Sequence, residues 1–345
     1  MPGSTASASN KSGRVLLVGV NWIGDTLMAM PAVQAYRRLH PELHLTVLVK
    51  PGLAPLWRLH GAPNDVLTYV NGLRGLVRAV WQVRASHVDC AFVMPHSIRS
   101  ALVPFLAGVP RRVGLSGAGR AVLLHHVVRA GSDERRQHQG FEYADLLVPE
   151  LALSSLESPC LHLSASDRAT AATWLDGCPR PRLAVMPGAA RGPAKRWPIT
   201  HFTALARRWI GEQSGSVVVL GGREDAAVCA TMASELGPRA LDLSGRTTLS
   251  TWAAVLQACE AVVCNDSGGM HLAAAVGTPG AAVFGLTDPA RTGPLGRRMR
   301  VVQDPGEHHR DIARNSAEAQ KRLAAISPER VYQALLEARQ EPAAD

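Results

Sequence analysis

The chain has 345 residues, 46% of them hydrophobic, with a mean hydropathy near zero. That length exceeds one typical core and suits two domains, and the lack of any apolar run of about 18 residues excludes a hydrophobic membrane-spanning helix. A surplus of 37 Lys and Arg over 28 Asp and Glu gives a formal charge of +9, which points to an anionic partner: nucleic acid, lipid head groups or an acidic substrate.

Residues 1–13 are small and polar and lack the apolar centre of a signal peptide; a disordered tail on a cytoplasmic protein is expected. Short, nearly continuous apolar strands are expected at Arg14–Val20, Leu43–Val49 and Val88–Met94, the pattern of a parallel sheet covered on both faces. Helices are expected near Ala32–Leu39, Leu53–His60 and Gly72–Arg84, with Pro31 in the first turn of the first. A looser basic region from Arg111 to Arg136 follows, then a helix around Phe141–Leu151. Residues 14–160 thus form a first domain, closed by a polar linker over Ser154–Cys160.

The second domain, 161–327, repeats the scheme. A helix at Ala165–Leu175 precedes strands at Leu183–Met186, Val217–Leu220, Ala240–Leu243, Ala261–Cys264 and Gly280–Phe284. Between them come helices at His201–Ile210, Asp225–Leu236, Leu249–Ala258 and Met270–Val276. Residues 328–345 end in a helix, Pro328–Glu337, that can return to the first domain. The expected architecture is α/β, two doubly wound domains facing each other across a cleft, with ligands at the carboxyl ends of the strands.

The basic residues concentrate in the first half: Arg74, Arg78, Arg84, Arg99, Arg111, Arg112, Arg120, Arg135 and Arg136. Aromatics are only 5% and are not interleaved with them. An acidic substrate or an anionic membrane face is therefore favoured over nucleic acid, with a solvated basic surface as the plain alternative. The six cysteines, at 90, 160, 178, 229, 259 and 264, contain no CxxC and are expected as free thiols, with Cys90, Cys259 and Cys264 buried.

The stretch most suggestive of chemistry is Asn265-Asp266-Ser267-Gly268-Gly269-Met270-His271, where a buried strand turns at once into an alanine-rich helix. Backbone N–H groups and the positive end of the helix dipole suit a diphosphate there, with His271 beside them. Lys195 and Arg196 sit in a Gly- and Pro-constrained loop that either is simply an exposed basic loop or suits a pyrophosphate. Glu224 follows another strand and either merely starts the next helix or accepts hydrogen bonds from ribose hydroxyls. After the first strand, Asn21-Trp22-Ile23-Gly24-Asp25 lacks the GxGxxG dinucleotide fingerprint, which argues against hydride transfer. Asp25 either caps the next helix or serves as a general base.

Taken in order, Asn21-Trp22-Ile23-Gly24-Asp25, Pro187-Gly188-Ala189, Gly192-Pro193-Ala194-Lys195-Arg196-Trp197-Pro198 and Asn265 to His271 resemble the ADP-heptose:lipopolysaccharide heptosyltransferases. These are inverting glycosyltransferases (family 9) of GT-B type, with two Rossmann-like domains. The resemblance covers roughly Arg14 to Phe284, with a weaker return at Ser327–Val331. Met94 to Leu102 and Gly108 to Gly114 look like the second-acting members rather than the first.

The resemblance implies Asp25 as catalytic base and Lys195, with Arg196, at the donor diphosphate of ADP-heptose. It implies Glu224 at the ribose, and Asp266, Ser267, Gly268, Gly269 and His271 around the diphosphate and donor sugar. Asn21, Arg99, Arg111, Arg112 and Arg120 become candidates for the phosphorylated acceptor, a Kdo- and heptose-bearing lipid A core at the cytoplasmic face of the inner membrane. No metal or other cofactor is expected, because no DxD-like pair is present and Lys195 with helix dipoles would take its place. Transfer to Kdo, a nucleotide-sugar epimerase and a non-enzymatic nucleotide-sugar sensor remain as alternatives. One departure from the family is the segment Gln303 to Arg310, which has no cysteine and runs on into a polar helix-like stretch, Asp311 to Ala325.

Overall fold

The computed structural model describes residues 13–129, 137–151, 155–190, 192–306 and 313–342. Expectations that fall on residues 1–12, 130–136, 152–154, 191, 307–312 and 343–345 lie outside these. Among the described residues, strands β1 (Arg14–Val18), β2 (His44–Val49), β3 (Asp65–Thr68), β4 (Cys90–Val93), β5 (Arg111–Leu115) and β6 (His126–Val128) form one parallel sheet in the order β3-β2-β1-β4-β5-β6. A second sheet holds β7 (Arg182–Met186), β8 (Ser216–Val219), β9 (Ala240–Asp242), β10 (Ala261–Asn265), β11 (Gly280–Phe284) and β12 (Met299–Gln303), in the order β12-β11-β10-β7-β8-β9. Both are doubly wound α/β sheets, as expected. The order reverses between β1 and β4 in the first and between β7 and β10 in the second, and ligands of such sheets bind outside the carboxyl ends at that reversal.

The central strands are apolar and buried throughout: Leu16, Leu17, Val262, Val263 and Cys264 have no exposed surface. One apolar cluster runs from Leu17 and Val47 in the first domain to Ala254 and Met270 in the second. The bridge is the contact of the helix Ile23–Leu39 with the helix Gly268–Ala275. The second helix reads GGMHLAAA, and its small residues permit that approach: a Cβ on Gly268 would come within 2.7 Å of the Ile23 Cβ.

Several expectations are corrected. The first long helix starts at Ile23, so Pro31 is interior rather than in the first turn. Thr26 to Val33 are all buried, and that packing outweighs the one helical hydrogen bond a proline cannot donate. The basic region contains β5 and β6, its strand signal hidden because β5 opens on Arg111 and Arg112. The last helix, Pro328–Gln340, does not return to the first domain. Val331, Tyr332 and Leu335 are buried with Trp209, Val263 and Val283 against the second sheet. A helix, Ala317–Ala325, lies within the polar stretch after β12. All six cysteines are free, Cys229, Cys259 and Cys264 buried, Cys90 half-buried and Cys160 exposed.

Candidate active site

A cavity of about 370 Å³ lies between the two sheets. Asp25, His96, Lys195, Asp266, Ser267, Gly268 and His271 line it. Asp25 and His96 follow β1 and β4; Lys195 and the Asp266–His271 turn follow β7 and β10. The cavity is thus built from both strand-order reversals, facing one another.

Asp25 is the third residue of the helix Ile23–Leu39, and the capping position is filled by Trp22. The carboxylate is therefore held at the cavity wall by a rigid element, near the positive end of the helix dipole. Close by, Asn21 accepts a hydrogen bond from the Tyr69 hydroxyl at 3.1 Å, which ties the loops after β1 and β3 together at the rim.

On the opposite wall, Lys195 ends the short turn Pro193–Lys195 and places Nζ 2.5 Å from Asp266 Oδ2. The same oxygen accepts a 2.6 Å hydrogen bond from the Thr287 hydroxyl. Both members of the ion pair are largely buried, at 14% and 7% exposure, so the low local dielectric makes the attraction strong and fixes the ammonium in place. Asp266 is thus the partner that orients Lys195, a carboxylate being a poor neighbour for phosphate. Three protons on the ammonium leave capacity for an anionic ligand as well. Ser267 is the N-cap of the helix Gly268–Ala275, and Gly268 also lines the cavity, so the helix's first turn opens onto the same space. His271 packs its ring against Gly24. Burial pushes its imidazole down to about 4, leaving a neutral ring at physiological pH.

Other expected site residues fall elsewhere. Arg196 braces the scaffold, donating to Ala189 O and Asp225 Oδ1, each at 3.3 Å, and is outside the cavity lining. Glu224 is exposed on the turn after β8, and Gly269 is buried against Met186. Arg120 is fully buried, with its guanidinium on the carbonyls of Val93 and Pro95; it buttresses the loop after β4 and is inaccessible to an acceptor. Arg111 and Arg112 begin β5, at the edge of the sheet opposite the cleft. Arg112 also donates to Leu123 O at 2.8 Å and Val109 O at 2.6 Å, and stacks over Phe105. Arg99 alone of the four arginines is exposed at the cleft edge, in the first turn of the helix Ile98–Leu106 after β4.

Sequence reasoning missed a charged bridge across the cleft. Arg291 donates to Glu142 Oε1 at 2.9 Å, and His96 Nε2 lies 3.3 Å from Glu142 Oε2. The bond to Glu142, more than any other influence, pulls the His96 pKa upward. His138 and Gln139 reinforce this bridge through Gly293 O (3.0 Å) and Arg291 O (2.9 Å). His96 fell inside a recognised stretch, but Glu142 and Arg291 are 149 positions apart. Among the described residues, no three His, Cys, Asp or Glu side chains converge as a metal site would require.

The family model for glycosyltransferase family 9 (heptosyltransferase) matches residues 77–321. The chain belongs to this family. It is 30% identical to lipopolysaccharide heptosyltransferase 2 of Escherichia coli K12, over 93% of this chain and 97% of that one. Lipooligosaccharide heptosyltransferase 2 of Haemophilus influenzae is 29% identical over 84% and 88%. Among solved structures, ADP-heptose lipopolysaccharide heptosyltransferase II of E. coli superposes with a TM-score of 0.81 at 28% identity, covering 94% of this chain and 98% of that one. A family 9 glycosyltransferase from Veillonella parvula reaches 0.85 at 19% identity, covering 98% and 100%, a likeness of fold. The GT-B architecture and the glycosyltransferase class expected from the motifs are both upheld.

Proposed function

We propose that the chain transfers L-glycero-D-manno-heptose from ADP-heptose to a heptose of the lipopolysaccharide inner core, with inversion at the anomeric carbon. The observation that carries this reading is the opposition, in one cavity, of the Asp25 carboxylate and the buried Lys195–Asp266 pair beside a helix N-terminus. The relatives named as lipopolysaccharide or lipooligosaccharide heptosyltransferase 2 support heptose transfer to such a core, and the E. coli ADP-heptose heptosyltransferase II structure supports ADP-heptose as donor.

Asp25 takes the proton of the acceptor hydroxyl as that oxygen attacks the anomeric carbon from the face away from the nucleotide. The bond from the anomeric carbon to the diphosphate oxygen breaks and its electron pair leaves on ADP. Lys195 and the first turn of the helix Gly268–Ala275 stabilise the charge that develops there, a role a metal ion plays in other glycosyltransferases. His271, neutral, lends one hydrogen bond without adding charge. In this reading Glu224, exposed on the turn after β8 beyond the cavity, meets the ribose end of an extended nucleotide, and exposed Arg99 meets acceptor phosphate. On the same reading the reaction takes place at the cytoplasmic face of the inner membrane.

The test is ADP release from ADP-heptose with two purified acceptors, one ending in Kdo and one already carrying a heptose. Release with the heptose-bearing acceptor alone is expected. Release with the Kdo acceptor alone keeps the mechanism and changes the acceptor; release with neither overturns the reading.

A further inference from the structure

Between Val66 and Ser132 the chain holds eight arginines and a single acid, Asp89, so this segment carries most of the formal +9. Within it, the helix Leu73–Ala85 buries Gly75, Ala79 and Val83, spaced four apart, against the first domain. The opposite face is not polar. Leu73, Val77 and Trp81, also four apart, are 77%, 49% and 65% exposed, and four-residue spacing sets them in one stripe. Arg74 and Arg78 flank that stripe, and the helix has no acid. The helix Ile98–Leu106 packs beside it and adds exposed Phe105 and Leu106.

We infer that the outer face of these two helices docks on an anionic lipid bilayer. Leu73, Val77 and Trp81 enter the boundary between head groups and acyl chains, while Arg74 and Arg78 meet lipid phosphates. An apolar stripe rimmed by cations, with an aromatic ring at its end, is the composition that partitions to such an interface. A second copy of the chain is the poorer occupant, because a two-fold contact sets the same arginines against each other with no acid on the face to offset them. Both helices start at the carboxyl ends of β3 and β4, beside the Tyr69–Asn21 hydrogen bond and the exposed, cavity-lining Trp22. The docking face therefore abuts the cleft mouth. On the proposed function, this orientation delivers the sugars of a membrane-anchored acceptor to Asp25.

Sedimentation of the full chain with vesicles tests this without nucleotide or acceptor. Vesicles of phosphatidylglycerol and phosphatidylethanolamine are compared with phosphatidylcholine alone, at low and high salt. Preferential binding to the anionic vesicles that falls steeply with salt is expected. The triple variant Leu73→Ser, Val77→Ser, Trp81→Ser loses at least about tenfold in partitioning, and Arg74→Gln and Arg78→Gln lose about fivefold each. All of them keep wild-type ADP affinity by calorimetry, which separates lost docking from lost folding. Absence of wild-type binding, equal binding by the triple variant, or a stripe-dependent dimer in place of lipid binding each overturns the inference. Since the readout is lipid partition, failure of heptosyl transfer is detected separately.

Discussion

Arg291 and Glu142 meet at 2.9 Å across the cleft, one from each domain. The pair is half-buried, at 30% and 15% exposure, so it contributes modestly, about 1 kcal/mol after solvent screening. Glu142→Gln is accordingly expected to shift the balance between closed and open domains about fivefold and to raise the KM for donor by a similar factor. It also removes the main influence raising the His96 pKa, so the ring titrates at lower pH. Small-angle scattering and histidine NMR read the two effects; an unchanged His96 titration contradicts the contact.

Lys195→Ala is expected to weaken ADP and ADP-heptose together. A charge-assisted contact to phosphate is worth about 1.5–3 kcal/mol, roughly 10- to 100-fold in Kd. Calorimetry measures it, and unchanged nucleotide affinity removes Lys195 from the diphosphate.

The close approach of the domains at Gly268 gives a packing test. Gly268→Ala puts a Cβ 2.7 Å from the Ile23 Cβ, and overpacking of this kind costs about 1–3 kcal/mol. Gly211→Ala is the contrast: nothing lies within 4 Å of the added methyl, and the exchange in the helix Ile199–Gln213 gains roughly 0.5–1 kcal/mol. Opposite shifts in Tm are expected; a Gly268→Ala protein as stable as wild type means the helices are not tightly packed there.

Acid sensitivity follows from two buried imidazoles. Burial above all holds His60 and His271 down to about 4, whereas an unfolded histidine titrates near 6.5. Above pH 6.5 both states are neutral and these groups add no pH dependence. Between 6.5 and 4 the unfolded chain takes up protons that the folded chain refuses. Stability therefore drops as pH falls, by about 1.4 kcal/mol per unit for each histidine and roughly 3 kcal/mol each by pH 4. Urea midpoints at pH 7.5, 6 and 5 check this, and a flat profile rules it out.

Asp25, Lys195, Asp266 and His271 were legible in the sequence because each lies in a short motif just beyond a buried strand, where a doubly wound sheet puts its ligands. The same logic identified most of the central strands. It failed where composition misled: Arg111 and Arg112 masked β5, and Pro31 moved the expected helix start past Asp25. Arginine charge and the family resemblance together pointed to the acceptor, yet Arg120 is bound to buried carbonyls and Arg112 to a loop. The Glu142–Arg291 bridge had no local signal, since it exists only once the domains face each other.

On the proposed mechanism Asp25 deprotonates the acceptor while the opposite wall of the cavity holds the nucleotide. The most direct test of this is Asp25→Asn, measured for heptosyl transfer and for ADP affinity on the same preparation. Transfer is expected to fall roughly 10²- to 10⁴-fold with ADP affinity within about twofold of wild type. Transfer near the wild-type rate, or a loss of ADP binding that matches the loss of transfer, contradicts Asp25 as the base.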